Sequence, residues 1–207
     1  MKLIVFGATG SVGKLLVEQA MAQGHEVTAF ARNPERLGPS RPGLRTYAGD
    51  VLNPDDVGRA LPGHDAAFVI IGAGRKGGVR REGTRNIVDA MKLGGVRRLI
   101  CQSTLGAGDS RPALNFFWKR IMFGILLKDA YRDHQEQEGV VRRSGLAWTI
   151  VRPGAFTDGL ATGAYRHGFP PDTDGLQLKI SRSDVAEFLL RQLTDRTYLH
   201  RTPGLSY

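Results

Sequence analysis

Leu3-Ile4-Val5-Phe6-Gly7-Ala8-Thr9-Gly10-Ser11-Val12-Gly13 decides the fold. Leu3 to Phe6 is an unbroken apolar run of the kind found in a strand buried on both faces. The glycines follow at G-x-x-G-x-x-G spacing, and Leu15, Leu16, Ala20 and Met21 then recur at helical intervals. A buried strand, a glycine turn and an amphipathic helix in that order form a variant of the dinucleotide fingerprint. Gly7 allows the tight turn, Gly10 lets the backbone approach a pyrophosphate, and Gly13 lets the helix pack on the strand. The helix N-terminus offers free N–H groups and partial positive charge to phosphates. Gly7, Thr9, Gly10, Ser11, Val12 and Gly13 are therefore the first candidate cofactor contacts.

Outward from this turn, short β-branched and apolar runs alternate with amphipathic ones, the pattern of βαβ units. Gly24 stops the first helix. Strands are expected at Glu26 to Phe30, Leu44 to Tyr47, Asp65 to Ile71, Arg98 to Gln102 and Trp148 to Val151. Helices are expected after Asn53-Pro54, around Asn86 to Met91, over 129–143, and after a Ser183-Asp184 cap. No repeat or linker divides the 207 residues. The expectation is one α/β domain over 1–207, a Rossmann-like doubly wound parallel sheet with helices on both faces. Ligands should sit beyond the strands' carboxyl ends, where every motif below falls.

The second expected strand ends in Ala31-Arg32-Asn33-Pro34, with no carboxylate at the position that would accept from an adenosine 2′-OH. Arg32 can instead fork onto a 2′-phosphate, which predicts NADP(H) over NAD(H). Asp50, in Gly49-Asp50-Val51, either accepts from the adenine amino group, with Val51 beside it, or caps the next turn. The Gly72-Ala73-Gly74-Arg75 loop lets the backbone pass close to the cofactor, with Gly72 and Gly74 as contacts. Arg75 is a candidate for phosphate or substrate. Ser103, after the fifth strand, is placed to hydrogen-bond nicotinamide or a substrate carbonyl. Pro153-Gly154, after the sixth, offers backbone to the carboxamide.

Composition bounds the rest. Hydrophobic residues make up 41% and charged residues 24%, ordinary for a globular chain, which argues against disorder. The single cysteine, Cys101, excludes an intrachain disulfide and a Cys-based zinc site and points to a reducing, cytoplasmic setting. The N-terminus runs straight into the glycine turn, leaving no room for a secretory signal. The longest apolar stretch, Ile121 to Leu127, is too short for a membrane span. The net charge of +9 fits a solvated surface or a funnel for an anionic cofactor. Its cations are spread along the chain, which speaks against nucleic acid. The aromatic segment at about 110–128, with Phe116, Phe117 and Trp118, is a lid over a flat substrate, a core helix or a contact between copies. Monomer and homodimer both remain open.

These motifs resemble a family. GATGSVG, ARNP, GDV, Glu82 to Ile87, Ser144 to Gly154 and Ile180 to Ala186 are similar to atypical short-chain dehydrogenase/reductases, in the NmrA-like and biliverdin reductase B (flavin reductase) branch. The resemblance covers nearly the whole chain. It implies a Rossmann fold, bound NADP(H), and reduction of flavins, quinones or linear tetrapyrroles. The broader superfamily uses a Tyr-x-x-x-Lys pair, but here the residue four after Tyr131 is Gln135. Lys128, one turn before Tyr131, could lie on the same helix face as a substitute partner. The family's Asp-His step is matched by Asp133-His134, where His134 is either a proton shuttle, since an unperturbed imidazole titrates near neutrality, or a surface or packing residue. The histidine that the biliverdin reductase B pattern carries near Gly154 is missing, which tells against tetrapyrroles. Ser103, Tyr131 and His134 are the candidate catalytic residues. The expected activity is hydride transfer from NADPH to a small aromatic or quinonoid acceptor. The alternative is a non-catalytic NADP(H) sensor.

Overall fold

In a computed structural model that describes residues 1–72, 77–170 and 173–207, the glycine turn joins strand β1 (Lys2–Phe6) to helix α1 (Ser11–Ala22). There follow β2 (Glu26–Ala31), β3 (Leu44–Ala48), α2 (Pro54–Ala60), β4 (Ala66–Val69), α3 (Val79–Gly94) and β5 (Arg98–Gln102). A π-helical segment (Phe117–Leu126) leads into α4 (Lys128–Arg142) and β6 (Ala147–Pro153). The chain ends with β7 (Ala155–Thr157), β8 (Arg166–His167), β9 (Lys179–Ser181), α5 (Arg182–Arg191) and β10 (Gly204–Ser206).

The main sheet runs β3-β2-β1-β4-β5-β6-β10-β8 and is parallel except where β8 meets β10. Strand order reverses between β1 and β4, which makes the crevice above them the expected ligand site. Side-chain alternation splits the core in two. Leu3 and Val5 join Leu16 and Val17 of α1 and Phe188 of α5 on one face. Ile4 and Phe6 join Ile87 and Met91 of α3, Val141 of α4 and Trp148 on the other. This is the doubly wound fold expected from the sequence.

Several boundaries differ from expectation. β4 is shorter than 65–71, because the Asp65 carboxylate accepts from the Lys2 N–H (2.7 Å) at one end while Ile70 and Ile71 turn toward a cavity at the other. The last helix begins at Arg182, and its cap is Ser181, whose Oγ accepts from Asp184 N (3.0 Å), rather than Ser183-Asp184. Asp184 is instead a buried hub, accepting from Thr162 N (2.7 Å), Gly163 N (2.9 Å), Ser181 Oγ (2.9 Å) and Tyr207 Oη (2.5 Å). The chain from Ala155 onward adds four short strands that the sequence pattern does not announce.

Candidate active site at the glycine turn

The turn behaves as its spacing demands. Gly7 has φ +88°, and a Cβ there would lie 2.1 Å from the Ile70 carbonyl oxygen of the neighbouring strand's extension. A Cβ on Gly13 would lie 2.3 Å from the Gly7 oxygen, so the helix reaches the turn only without a side chain. Gly10 is the N-cap of α1 and supplies no side-chain acceptor, and the first turn carries no acid. The N–H groups of a helix start are thus left for an anion. Ser11 lies exposed at that terminus, Val12 is buried beneath it, and Thr9 is half-buried in the turn itself.

A cavity of about 260 Å³ opens beyond the carboxyl ends of β1, β4, β5 and β6, with Gly10, Ser11 and Val12 on one side. That volume suits one fused ring system, at the small end for ligand pockets. Ile70, Ile71 and Gly72 line it from β4, Gln102 to Leu105 from β5, and Pro153 to Phe156 from β6. Trp118 and Phe123 of the π-helix form a further wall together with Leu114 and Leu127. The segment therefore lies against the cleft, as the lid reading requires, through Trp118. Phe116 and Phe117 point elsewhere, 73% and 51% exposed.

The π-helix is held by an aromatic chain: Trp118 against Phe123 (5.7 Å between centroids) and Phe123 against Tyr131 (5.0 Å). Its backbone shows the wide turn directly, with Leu127 N donating to Met122 O at 2.7 Å.

Ser103 fits its expected place. Its N–H donates to Val151 O (2.8 Å), and its buried Oγ faces the cavity without a partner among the described residues. Tyr131 does not fit its expected role. Its phenol donates to the Gly106 carbonyl (2.9 Å), its ring packs on Phe123, and it is not among the cavity's walls. It pins the loop after β5 to α4. Lys128 is exposed beside it, and no substitute dyad forms.

His134 lines the cavity, but not as a proton shuttle near neutrality. Burial, with the Arg80 guanidinium nearby, lowers its pKa from 6.5 to about 3. At pH 7 it is a neutral ring, able to donate or accept one hydrogen bond. Its Nδ1 is sealed and has no partner among the described residues.

Pro153 and Gly154 contribute shape rather than backbone donors. Gly154 N donates to Leu205 O (2.9 Å), Ala155 N donates to Leu178 O (2.8 Å), and Pro153 O accepts from Leu105 N (2.8 Å). A Cβ on Gly154 would sit 2.7 Å from the Leu178 carbonyl, so the close approach of the two chains requires glycine. Asp50 takes the turn-capping role left open by the sequence, accepting from Leu52 N (3.0 Å). Val51 packs over Gly83, and its carbonyl accepts from Asn86 Nδ2 (2.9 Å). Arg32 stands exposed at the end of β2 with no ion pair among the described residues. Gly74 and Arg75 lie outside the described residues.

Residues outside the candidates taken from the sequence complete the site. Arg80, only 7% exposed, lines the cavity from the start of α3. Asp133 of α4 accepts from the N–H groups of Arg80 (3.1 Å) and Arg81 (3.0 Å), capping a helix whose own N-cap, Gly78, has no side chain. Gln102 adds an unpartnered Oε1 to the same wall.

An open helix N-terminus behind a glycine turn, at the switch point of a parallel sheet, is the geometry of a dinucleotide-binding site. The chain belongs to the NAD(P)H-binding family, whose model matches residues 7–196. It is 31% identical over 209 residues to the uncharacterized protein At2g34460, chloroplastic, of Arabidopsis thaliana, covering 93% of this chain and 71% of that one. A short-chain dehydrogenase/reductase from Veillonella parvula, solved in complex with NADP, superposes with a TM-score of 0.85 at 18% identity, covering 100% of this chain and 94% of that one. ChuY, an anaerobillin reductase from Escherichia coli O157:H7, superposes with a TM-score of 0.81 at 24% identity over 99% of this chain and 96% of that one. These superpositions show a shared fold, and the chain is an NAD(P)H-dependent oxidoreductase of the NAD(P)H-binding family. No helix among the described residues is long and apolar enough to cross a membrane.

Proposed function

We propose that this chain binds NADPH and reduces a flat conjugated acceptor, a flavin or quinone, in the cavity beside the glycine turn. The observation that carries the reading is the cavity itself. One side is the uncapped start of α1 with Ser103 close by, and the other is the Trp118–Phe123 wall.

The bound dinucleotide supplies hydride. The N–H groups of Ser11, Val12 and Gly13 hold its diphosphate, and Arg32 takes the 2′-phosphate in a charge-assisted fork. Ser103 Oγ donates to the carboxamide or to a carbonyl of the acceptor, fixing which face of the ring is presented. Trp118 and Phe123 stack on the acceptor and keep water from the reacting edge. With Tyr131 engaged by Gly106 and His134 neutral, the proton that balances hydride addition comes from solvent at the cavity mouth. That restricts the acceptors to conjugated systems that stabilise an anion until it is protonated. ChuY is described as an anaerobillin reductase, which supports reduction as the kind of activity and no particular acceptor.

A panel of FMN, riboflavin, small quinones and biliverdin, followed by NADPH absorbance, tests the reading. Turnover with a flavin or quinone that is lost in Gly10→Val supports it. Dinucleotide binding without oxidation by any acceptor overturns it in favour of a sensor, a reading that the engaged Tyr131 also accommodates.

A further inference from the structure

The catalytic reading uses Ser103 and the aromatic wall but leaves the most costly group in the cavity unexplained. Arg80 is more than nine-tenths buried and lines the cavity. Its Nε and Nη1 have no hydrogen-bond partner among the described residues. Its nearest acid, Asp133, lies 3.6 Å from Nη1, beyond hydrogen-bond reach. The Asp133 carboxylate is already engaged by the N–H groups of Arg80 and Arg81. Asp133 therefore offsets the charge as an ion pair, but the desolvated Nε and Nη1 donors stay unsatisfied, which is unfavourable unless an acceptor comes to them. Among the described residues no acid other than Asp133 pairs with it, and neither His134 nor Gln102 on the same wall carries a negative charge.

We propose that Arg80 is the anion-recognising residue of the acceptor site, and that the ligand is a planar conjugated molecule carrying an ionised oxygen, such as a carboxylate. The aromatic wall takes its face while Arg80 forks onto the oxygens, with the Ser103 hydroxyl donating at the polar edge. The proposal rests on the acceptor-pocket reading but is separable from it, because it concerns binding and not turnover.

Calorimetric titration of the NADP⁺-saturated protein with 2-naphthoate and with its neutral counterpart 2-naphthamide tests this. A charge-assisted fork in a dry pocket gives the carboxylate an advantage of about tenfold or more. The advantage falls to near unity in Arg80→Gln and is largely restored in Arg80→Lys. Equal affinity of the wild type for the two probes, binding of neither, or an undiminished preference in Arg80→Gln overturns the proposal. If Arg80→Gln fails to fold, the wild-type ratio and Arg80→Lys still decide. A carboxylate preference without NADPH oxidation by any acceptor would sink the reductase reading and leave this one standing. Oxidation without the preference would do the reverse.

Discussion

Replacing His134 by glutamine should change how stability depends on pH more than it changes stability at pH 7.5. The ring lines the cavity with a sealed, unpartnered Nδ1, and burial next to Arg80 lowers its pKa from 6.5 to about 3. The unfolded chain therefore takes up a proton on this residue near pH 6.5, which the folded chain refuses until about pH 3. A lowered folded pKa means the contribution is fully present above pH 6.5 and is lost as pH falls through the window below it. The slope in that window is about 1.4 kcal/mol per pH unit, so going from pH 7.5 to pH 5 costs about 2 kcal/mol from this one group. Urea unfolding of wild type and His134→Gln at pH 7.5, 6.5, 5.5 and 5.0 isolates it, since the other titrating groups are common to both. The stability difference should shift by about 2 kcal/mol in favour of the variant as pH falls. Parallel pH profiles, or an imidazole C2–H resonance that titrates between pH 6 and 7, would refute the neutral ring and return His134 to the role of proton shuttle.

Arg32→Ala should weaken NADPH by about tenfold or more and leave NADH nearly unchanged, because only NADPH presents the phosphate that the guanidinium would clasp; fluorescence titration with both dinucleotides measures the ratio. Gly13→Ala must push α1 off the Gly7 carbonyl, costing about 1–3 kcal/mol and lowering the melting temperature by several degrees. It should also weaken NADPH, since the displaced N–H groups are those that hold the diphosphate; a calorimetric melt and the same titration check both. Glu138→Gln removes the carboxylate that accepts from Arg152 Nε (2.9 Å) and Nη2 (2.7 Å), and Arg152 is 1% exposed. The cost should be about 3 kcal/mol by urea unfolding, with Asp109, 2.6 Å from Nη1, still accepting. The paired change Arg152→Met with Glu138→Leu should cost much less, which shows the penalty to be that of a stranded charge.

The first half of the fold was legible because its signals are local. Leu3 to Phe6 reads as a buried strand from its own composition. Asn53 reads as a cap and is one, accepting from Asp55 N at 3.0 Å. The glycine spacing reports steric contacts between residues six apart in sequence. The second half depends on partners far away in the chain. β10 is three residues long and exists because Gly204 and Leu205 find β6, roughly fifty residues earlier. Asp133 caps α3 across a gap of more than fifty residues, and nothing in Tyr-Arg-Asp-His foretells it. The same holds for Arg80. In sequence it is one of two adjacent arginines, while in space Arg81 pairs with Glu82 and Glu136 and Arg80 faces the cavity.

Tyr131 links these two kinds of evidence. By type and position it invites the role of acid, and the absence of lysine four residues on is a local sign that the role is gone. The hydrogen bond to Gly106 and the stack on Phe123 show what replaces it: the phenol fixes the loop after β5, and the ring braces the π-helix that walls the cavity. A π-helical turn is a poor hydrogen-bonding arrangement held in place by packing. Loss of that bracing in Tyr131→Phe would therefore be small, because the ring remains, whereas Tyr131→Ala would loosen Trp118 and Phe123 together. If the tyrosine were instead the proton donor, Phe and Ala would be equally damaging to turnover at saturating NADPH. Near-wild-type kcat in Tyr131→Phe, with KM for the acceptor raised in Tyr131→Ala, separates bracing from chemistry.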